Sequence, residues 1–314
     1  MLQFPTNGIS RSIDKHNSKL EVFADWLEGC VLFSDDAISN TDVVDALCDN
    51  RIYDSQDFAN EWVTTVWSEI LRRHRNLGKG SPFQVSSNRI SSLMSWKEVP
   101  AHSFCVLLSL VNNYSGLTSQ WKKDFGAGYN EQGELFELLT MESLQKHFPD
   151  WVVYRTGWSK SSAKRLEEIV DNISIELGET KGDLKLWASQ DANEAGLDLL
   201  WYRRFADRRV GIPLYLMQCA SGENWKRKLH TPEMNVWRKV ILFAATPKKA
   251  FATPFAIEET EFKRYCSLVD GPLFDRYRLL DHGQPSMLWL SSEVKTRIVD
   301  WVQVRSMTIP VFEQ

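Results

Sequence analysis

The first part of the chain carries apolar residues at the spacing of an α-helix. Between Asp57 and Arg75 they recur every three to four positions, and the stretch ends in arginines, which suit the C-terminal end of the helix dipole. Residues 39–42 resemble a helix N-cap, and the apolar residues of 96–111 predict a further helix. Residues 19–120 show no strand-like alternation. We therefore predict an all-α domain over residues 1–125.

The pattern changes after Gly126, which lies in a predicted hinge. An apolar face over residues 132–147 predicts a helix, and a second helix is predicted over 161–175. Apolar runs predict strands at 151–154, 197–202, 212–219 and 240–244, and a closing helix is predicted over 291–304. The principal order is helix, strand, strand, strand, helix, strand. It predicts a second domain, residues 126–314, with a mixed sheet flanked by helices, in the α+β or α/β class.

Length and composition are those of a globular protein. The 314 residues suffice for two domains with their own cores, and 43% of them are hydrophobic. The five cysteines are scattered, which argues against a disulfide framework or a zinc knuckle and favours a reducing cytoplasm. The first residues lack the features of a signal peptide, and no stretch approaches the roughly 20 apolar residues of a membrane span. We expect no membrane association.

Charge is unevenly distributed along the chain. Residues 1–60 contain eleven acidic and four basic residues, whereas residues 199–250 contain eleven basic and three acidic ones. A basic segment within a mildly acidic protein predicts a localised anionic partner, although a solvated surface explains it equally well.

Three polar residues lie where burial would be costly. Asp198 stands between leucines in a predicted strand, Gln218 ends the next strand, and Glu137 lies on the preceding helix. A buried carboxylate requires a partner, and a hard divalent cation is one option. Adjacent antiparallel strands would bring Asp198 and Gln218 together at one sheet end. Such an oxygen-rich site prefers Mg²⁺ or Mn²⁺ over zinc.

The surrounding motifs resemble those of the PD-(D/E)XK nuclease superfamily, in particular its Mrr-like members. These carry a Gly-x-x-Phe-Glu helix, a Gly-x-Asp strand and a Gln-x-Lys strand. The matching positions are Gly133, Phe136, Glu137, Gly196, Asp198 and Gln218. Over roughly residues 130–245 the resemblance implies a restriction-endonuclease-like αβββαβ core. It also implies metal-dependent hydrolysis of DNA by an endonuclease with Asp198, Gln218 and Glu137 as metal ligands, in a prokaryotic restriction or anti-phage system.

One motif position departs from this pattern. Ala220 stands where the superfamily has a lysine that orients water and stabilises transition-state charge. Lys228, or failing that Lys226, follows closely enough to substitute for it. The alternative is a decayed nuclease core that binds nucleic acid or assembles with a partner protein without cutting.

Other interpretations remain open for the same residues. In these interpretations Glu137 is a solvated helix residue, Asp198 forms a buried ion pair with Arg155 or Arg203, and Gln218 hydrogen-bonds backbone groups at a strand end. Cys219 as a nucleophile is less favoured than inert packing.

Basic residues on the turn between the two site strands are candidates for binding duplex DNA through its phosphates. They are Arg203, Arg204, Arg208 and Arg209. Trp201, Tyr202 and Trp225 are more readily explained as core residues than as base-stacking ones. A third function class is a protein–protein adaptor that uses the tryptophan-rich helical domain as its working surface.

Overall fold

The computed structural model describes residues 1–11, 16–34, 37–126, 129–156, 166–184 and 196–312. The chain forms two compact units. The first comprises Met1–Ala127, Pro254–Ala256 and Arg276–Gln314, and the second comprises Gly128–Thr253 and Ile257–Asp275. The predicted boundary lies close to the first of these divisions. The prediction placed all of residues 126–314 in one domain, whereas the C-terminal segment belongs to the first unit.

The described helices and strands are as follows, in chain order. The α-helices are α1 (Leu20–Ser34), α2 (Asn40–Asp49), α3 (Gln56–Leu77), α4 (Pro100–Val111), α5 (Leu117–Asp124), α6 (Tyr129–His147), α7 (Leu166–Leu177), α8 (Met234–Val240), α9 (Glu259–Val269), α10 (Arg276–Leu280) and α11 (Ser292–Ser306). The strands are β1 (Ile38–Ser39), β2 (Phe83–Val85), β3 (Arg89–Ser92), β4 (Val152–Arg155), β5 (Thr180–Lys181), β6 (Leu199–Tyr202), β7 (Leu214–Cys219), β8 (Ile241–Leu242), β9 (Lys248–Ala252) and β10 (Leu273–Phe274).

The first unit is helical at its core. Ser39 caps α2 by accepting from the Asp42 N–H, while the Asp42 carboxylate accepts from the Ser39 N–H, which confirms the predicted cap. Helix α4 begins at Pro100 and not at residue 96, because proline suits the first turn, where its missing N–H is not needed. Every residue of α4 is buried.

The first unit is not all-α, and this part of the prediction was wrong. Strand β3 pairs antiparallel with both β1 and β2, which gives a three-stranded sheet. Each of these strands has only two to four residues. Such short strands show no alternation that a sequence pattern could detect.

The second unit contains a mixed five-stranded sheet in the order β10-β9-β7-β6-β4. Strands β4, β6 and β7 are antiparallel neighbours, and β7, β9 and β10 are parallel. The predicted strands at 197–202 and 212–219 are confirmed as β6 and β7. The run at 240–244 supplies only β8, which pairs with β5, and β9 joins the sheet in its place.

Both faces of the sheet are covered by apolar side chains. On one face Leu200 and Leu216 pack against Ile173 of α7 and Trp237 of α8. On the other face the rings of Trp201 and Tyr215 stack with centroids 4.7 Å apart. Because β6 and β7 are antiparallel, the start of β6 and the end of β7 lie at the same end of the sheet. Among the described residues, no helix has both the length and the apolarity needed to cross a membrane.

Candidate active site

Asp198 and Gln218 are neighbours at one end of the sheet. Leu199 is paired with Met217, and the Asp198 N–H donates to the Met217 carbonyl at 2.9 Å. Gly196 precedes the strand with φ +53°, and a Cβ there would lie 2.6 Å from Gln218 Oε1. Glycine is therefore required at residue 196 both by the left-handed backbone and by the close approach of the Gln218 side chain.

The Asp198 carboxylate is held from one side. Its Oδ2 accepts from the Cys219 N–H at 2.6 Å and from Gln218 Nε2. The described residues provide no hydrogen-bond donor to Oδ1. Thr156 fixes the Asp198 backbone, because its N–H donates to the Asp198 carbonyl at 3.0 Å. One carboxylate oxygen is thus anchored by donors from β7.

Thr231 bears on the orientation of the Gln218 amide. The Thr231 hydroxyl oxygen lies 2.6 Å from the Lys228 carbonyl and 3.2 Å from Gln218 Oε1. A hydroxyl has one hydrogen, and the shorter contact takes it. Thr231 then offers Gln218 a lone pair, which suits an amide nitrogen and repels an amide oxygen.

Exchanging the amide oxygen and nitrogen of Gln218 removes this repulsion but gives up the two hydrogen bonds that Nε2 donates to Asp198 Oδ2 and the Cys219 carbonyl, so it is favourable only with a cation bound there. These two atoms are distinguished only by their hydrogen-bond partners. After the exchange, the amide oxygen would face Asp198 Oδ2 and the Cys219 carbonyl, which now lies 3.1 Å from the amide nitrogen. Three oxygen atoms facing one another require a proton or a cation between them. The donor set therefore fits a hard cation.

Glu137 approaches this pair from helix α6. Arg155 Nε donates to Glu137 Oε2 at 2.6 Å, and Arg155 Nη1 lies 3.4 Å from Glu134 Oε1. An ion pair between Asp198 and Arg155, one of the predicted alternatives, is not formed, because the Arg155 hydrogen bonds go to the two glutamates. The structure thus brings Glu137, Asp198 and Gln218 to one sheet end.

The two carboxyl groups resist ionisation. Burial raises the pKa of Asp198 to about 8, and the negative charge of Glu137 adds to the increase, while the Cys219 N–H, Lys228 and Arg155 oppose it. Burial also raises the pKa of Glu137, against the hydrogen bond and charge of Arg155. Neighbouring carboxyl groups of this kind gain most from an added positive charge.

The two candidate lysines have different surroundings. Lys228 lies close enough to Asp198 for its charge to lower the pKa of that carboxyl. The Lys226 ammonium instead lies 5.4 Å from the centre of the Tyr265 ring and 5.6 Å from that of Trp225. Ala220 is only 2% exposed, and its N–H donates to the Ala252 carbonyl, so this position is part of the packed sheet.

Several neighbours of the site were not identified from the sequence. Thr231 and Thr156 carried no signal, because their roles depend on chain segments that meet only in the fold.

Burial raises the pKa of the Cys219 thiol well above its ordinary value, which fits inert packing and not a nucleophile.

The four arginines predicted to bind DNA lie on the turn between β6 and β7, as expected, but this turn is at the far end of the strands. Arg203 lies five positions after Asp198, which corresponds to about 16 Å along a strand. Arg204 is also paired with Glu176, at 2.9 Å. These arginines are therefore too distant to contact a group bound at Asp198. Trp201, Tyr202 and Trp225 are buried, which confirms that they are core residues.

Acidic residues alone do not form a metal site here. Among the described residues, no group of three or more histidine, cysteine, aspartate or glutamate side chains is placed to hold a metal ion. Asp198 and Glu137 supply two acids, and neutral oxygens of Gln218 and Cys219 would have to complete the set. Asp191 and Glu194, two further acids that precede β6 in the sequence, lie outside the described residues.

Comparison with known proteins identifies no family. No family model matches the chain, and no curated protein matches it. A solved structure, the crystal structure of protein VC1899 from Vibrio cholerae, aligns over 82% of each chain with 9% sequence identity and a TM-score of 0.16. A likeness this low supports no conclusion about fold or function, so the chemistry of the site has to carry the functional argument.

Proposed function

We propose that the second unit is a divalent-metal-dependent nuclease that hydrolyses phosphodiester bonds of DNA. One observation carries the proposal. Asp198 and Gln218 are in direct contact at a sheet end, and the charge of Glu137 acts on Asp198. Carboxylates with raised pKa values in such an arrangement are typical of functional sites.

The order of the elements supports the proposal. Helix α6, strands β4, β6 and β7, helix α8 and strand β9 come in the αβββαβ order that the sequence resemblance implies, with α7, β5 and β8 as additional elements between them. The first three of these strands are antiparallel, and β9 lies parallel to β7. The site residues fall at the ends of the strands that this order places side by side.

The oxygen donors favour Mg²⁺ or Mn²⁺ as the bound ion. Asp198, Glu137 and the Gln218 amide would hold it, with the Cys219 carbonyl as a further donor. When bound, such an ion supplies Lewis-acid polarisation of a phosphoryl group.

The remaining side chains have distinct roles in the proposed reaction. Thr231 positions Gln218, and Arg155 positions Glu137. Lys228 brings positive charge to the Asp198 end of the sheet, where it would stabilise the charge that develops on a phosphate. It thereby takes over the role of the lysine that is missing at residue 220.

DNA cleavage assays test this proposal. Purified protein is incubated with plasmid DNA and Mg²⁺ or Mn²⁺, beside Asp198→Asn, Lys228→Met and Lys226→Met. We expect Asp198→Asn and Lys228→Met each to lose roughly 100-fold or more in rate. Lys226→Met is the matched control, two residues away, and should retain most of the activity. Equal cutting by wild type and Asp198→Asn, or no cutting with either metal, would contradict the proposal.

A second candidate function is nucleic-acid binding or partner assembly without cleavage. The packed alanine at residue 220 favours it, because the usual position of the lysine cannot contribute charge. Wild-type protein that binds DNA and never cuts it would support this alternative.

The adaptor hypothesis has less support: within the described part of residues 19–120, Leu93 is the one large apolar side chain that is well exposed.

A further inference from the structure

The turn between β6 and β7, residues 203–213, is called the arginine turn here. It contains four arginines and one aspartate, Asp207. The side chains of Arg209 and Arg203 are 83% and 51% exposed, and their nearest carboxylates lie 3.8 and 3.9 Å away. Such long, exposed contacts are readily exchanged for a phosphate. Arg204, paired with Glu176, is the exception.

Arg208 occupies an unfavourable backbone conformation. Its φ is +56°, in the left-handed region that suits glycine and strains a residue with a side chain. Gly211, three residues later, takes a positive φ without that strain. The described residues provide no ion pair for Arg208 that would offset the strain. Arg51 takes the same conformation, so the strain alone assigns no function; the exposed charge of Arg208 among neighbouring arginines carries the argument.

Apolar groups accompany the charges on the arginine turn. Phe205 is 53% exposed and Val210 is 42% exposed. Exposed aromatic and apolar groups between arginines suit a sugar–phosphate backbone, where guanidinium groups bind phosphates and rings pack on sugars or bases. Two apolar side chains provide little area for insertion into a lipid surface.

We propose that the arginine turn binds the backbone of the nucleic acid whose cleavage is proposed above, at a position remote from the reacting phosphate. Arg208 and Arg209 are the principal contacts. Because about 16 Å of strand separate Asp198 from the turn, and base pairs rise by about 3.4 Å, the turn lies at least about five base pairs from the site. The proposed ligand is a duplex, and fragments shorter than this separation engage only one of the two places.

Arg208→Gly and Arg51→Gly form a matched pair for the test. Both arginines are exposed, have φ near +55°, and donate their backbone N–H to the carbonyl three residues before. Arg51 lies in the first unit, beside Asp49 and Asp54. Glycine relieves the strain at both positions, so neither variant should melt below wild type.

Fluorescence anisotropy measures binding of a labelled duplex of about 20 base pairs to each variant in an Asp198→Asn background. At low salt, we expect Arg208→Gly to weaken binding about five- to tenfold and to reduce the salt slope by about one, whereas Arg51→Gly binds like its parent. Arg209→Ala should resemble Arg208→Gly. Equal affinity of Arg208→Gly and Arg51→Gly for the long duplex would overturn the proposal.

Two further outcomes separate this inference from the proposed function. Binding that depends on Arg208, without cleavage by wild type under any metal, would refute the nuclease and leave the turn assignment standing. Cleavage by wild type, with Arg208→Gly binding unchanged, would do the reverse. Phosphatidylserine vesicles provide the last comparison: Arg208-dependent binding to vesicles but not to DNA would replace nucleic acid by a membrane surface.

Discussion

Each unit contains buried carboxylates, but their surroundings differ. In the first unit Asp25, Glu28 and Glu69 share two buried arginines. Arg73 Nη1 lies 2.8 Å from Asp25 and 3.2 Å from Glu28, and Arg276 Nη1 lies 2.6 Å from Asp25. These five side chains are called the buried charge cluster here. In the second unit Asp198 has no comparable cation in contact among the described residues, since Arg155 hydrogen-bonds Glu137 and Glu134.

The pKa values follow this difference. Burial alone would raise the pKa of Glu28, but Arg73, the hydrogen bond to His102 and Arg276 outweigh it and lower the pKa to about 2. Burial and Glu137 instead raise the pKa of Asp198 to about 8. A buried carboxylate matched by arginines serves the fold, whereas one left short of positive charge is a candidate cation ligand.

Removing an arginine from the buried charge cluster should have the largest effect. Arg73→Met leaves Asp25, Glu28 and Glu69 buried with too little positive charge, and we expect a loss of about 3–5 kcal/mol in the free energy of unfolding. Urea denaturation measures it. The control is Arg264→Met, which breaks an exposed helical pair with Glu261 and should leave the unfolding midpoint unchanged. Equal losses in the two variants would remove the distinction between the buried cluster and the surface.

Glu28→Gln should show a pH-dependent loss. The folded pKa is about 2 against a usual value of 4.5, so ionised Glu28 stabilises the fold above pH 4.5. This stabilisation disappears as the pH falls toward 2. We expect Glu28→Gln to be less stable than wild type by about 2–3 kcal/mol at pH 7, with a difference that narrows below pH 4.5. A difference independent of pH would contradict the lowered pKa.

Asp198→Asn should act in the opposite direction. The folded pKa of about 8 lies above the usual 3.8, so the metal-free wild type loses stability as the pH rises from about 4 to 8. With a chelator present, we expect the variant to be more stable than wild type at pH 8 and equally stable at pH 4. Because the Asp198 residue is only partly buried, solvent screening reduces the expected difference at pH 8 to about 1–2 kcal/mol. Thermal melts at both values decide the point. A variant that is less stable at pH 8 would show that Asp198 is a structural residue like Glu28.

Glycines of the two motifs provide the smallest effects. Gly196→Ala places a Cβ against Gln218 and Thr231 in a left-handed backbone, and we expect it to lower the free energy of unfolding by about 1 kcal/mol.

Gly133→Ala lies in α6 facing open space, and should raise the free energy of unfolding by about 0.5–1 kcal/mol, because alanine is the better helix former. Both are measured by urea denaturation. Destabilisation by Gly133→Ala would indicate that the glycine of the helix motif has a constrained role.

The sequence allowed the site strands to be predicted because their signals are local. The runs that became β6 and β7 are apolar and separated by a polar turn, which is sufficient to infer that Asp198 and Gln218 meet. The order of the strands in the sheet could not be predicted from such local signals. Strand β9 begins with Lys248 and Lys249, and its remaining residues are alanines and one phenylalanine. The run near Ile241 is more apolar and therefore predicts a strand there in place of β9.

The buried charge cluster could not be predicted for a different reason. In the sequence, Asp25 and Glu28 are two of the eleven acidic residues among the first 60, and Arg73 belongs to the arginines that end a predicted helix. The partner that completes the cluster, Arg276, lies 251 residues from Asp25 along the chain. No local pattern shows that acids in an amphipathic helix are buried when their cations arrive from so far away.

Metal binding tests the central claim most directly. Isothermal titration of Mn²⁺ into wild type and Asp198→Asn, at pH 8 in buffers of different ionisation enthalpy, reports affinity and proton release together. We predict that wild type binds Mn²⁺ with release of a proton, more weakly at pH 6, and that Asp198→Asn does not bind it at this site. Equal binding by the two proteins, or none by wild type, would contradict the assignment of Glu137, Asp198 and Gln218 to a cation site.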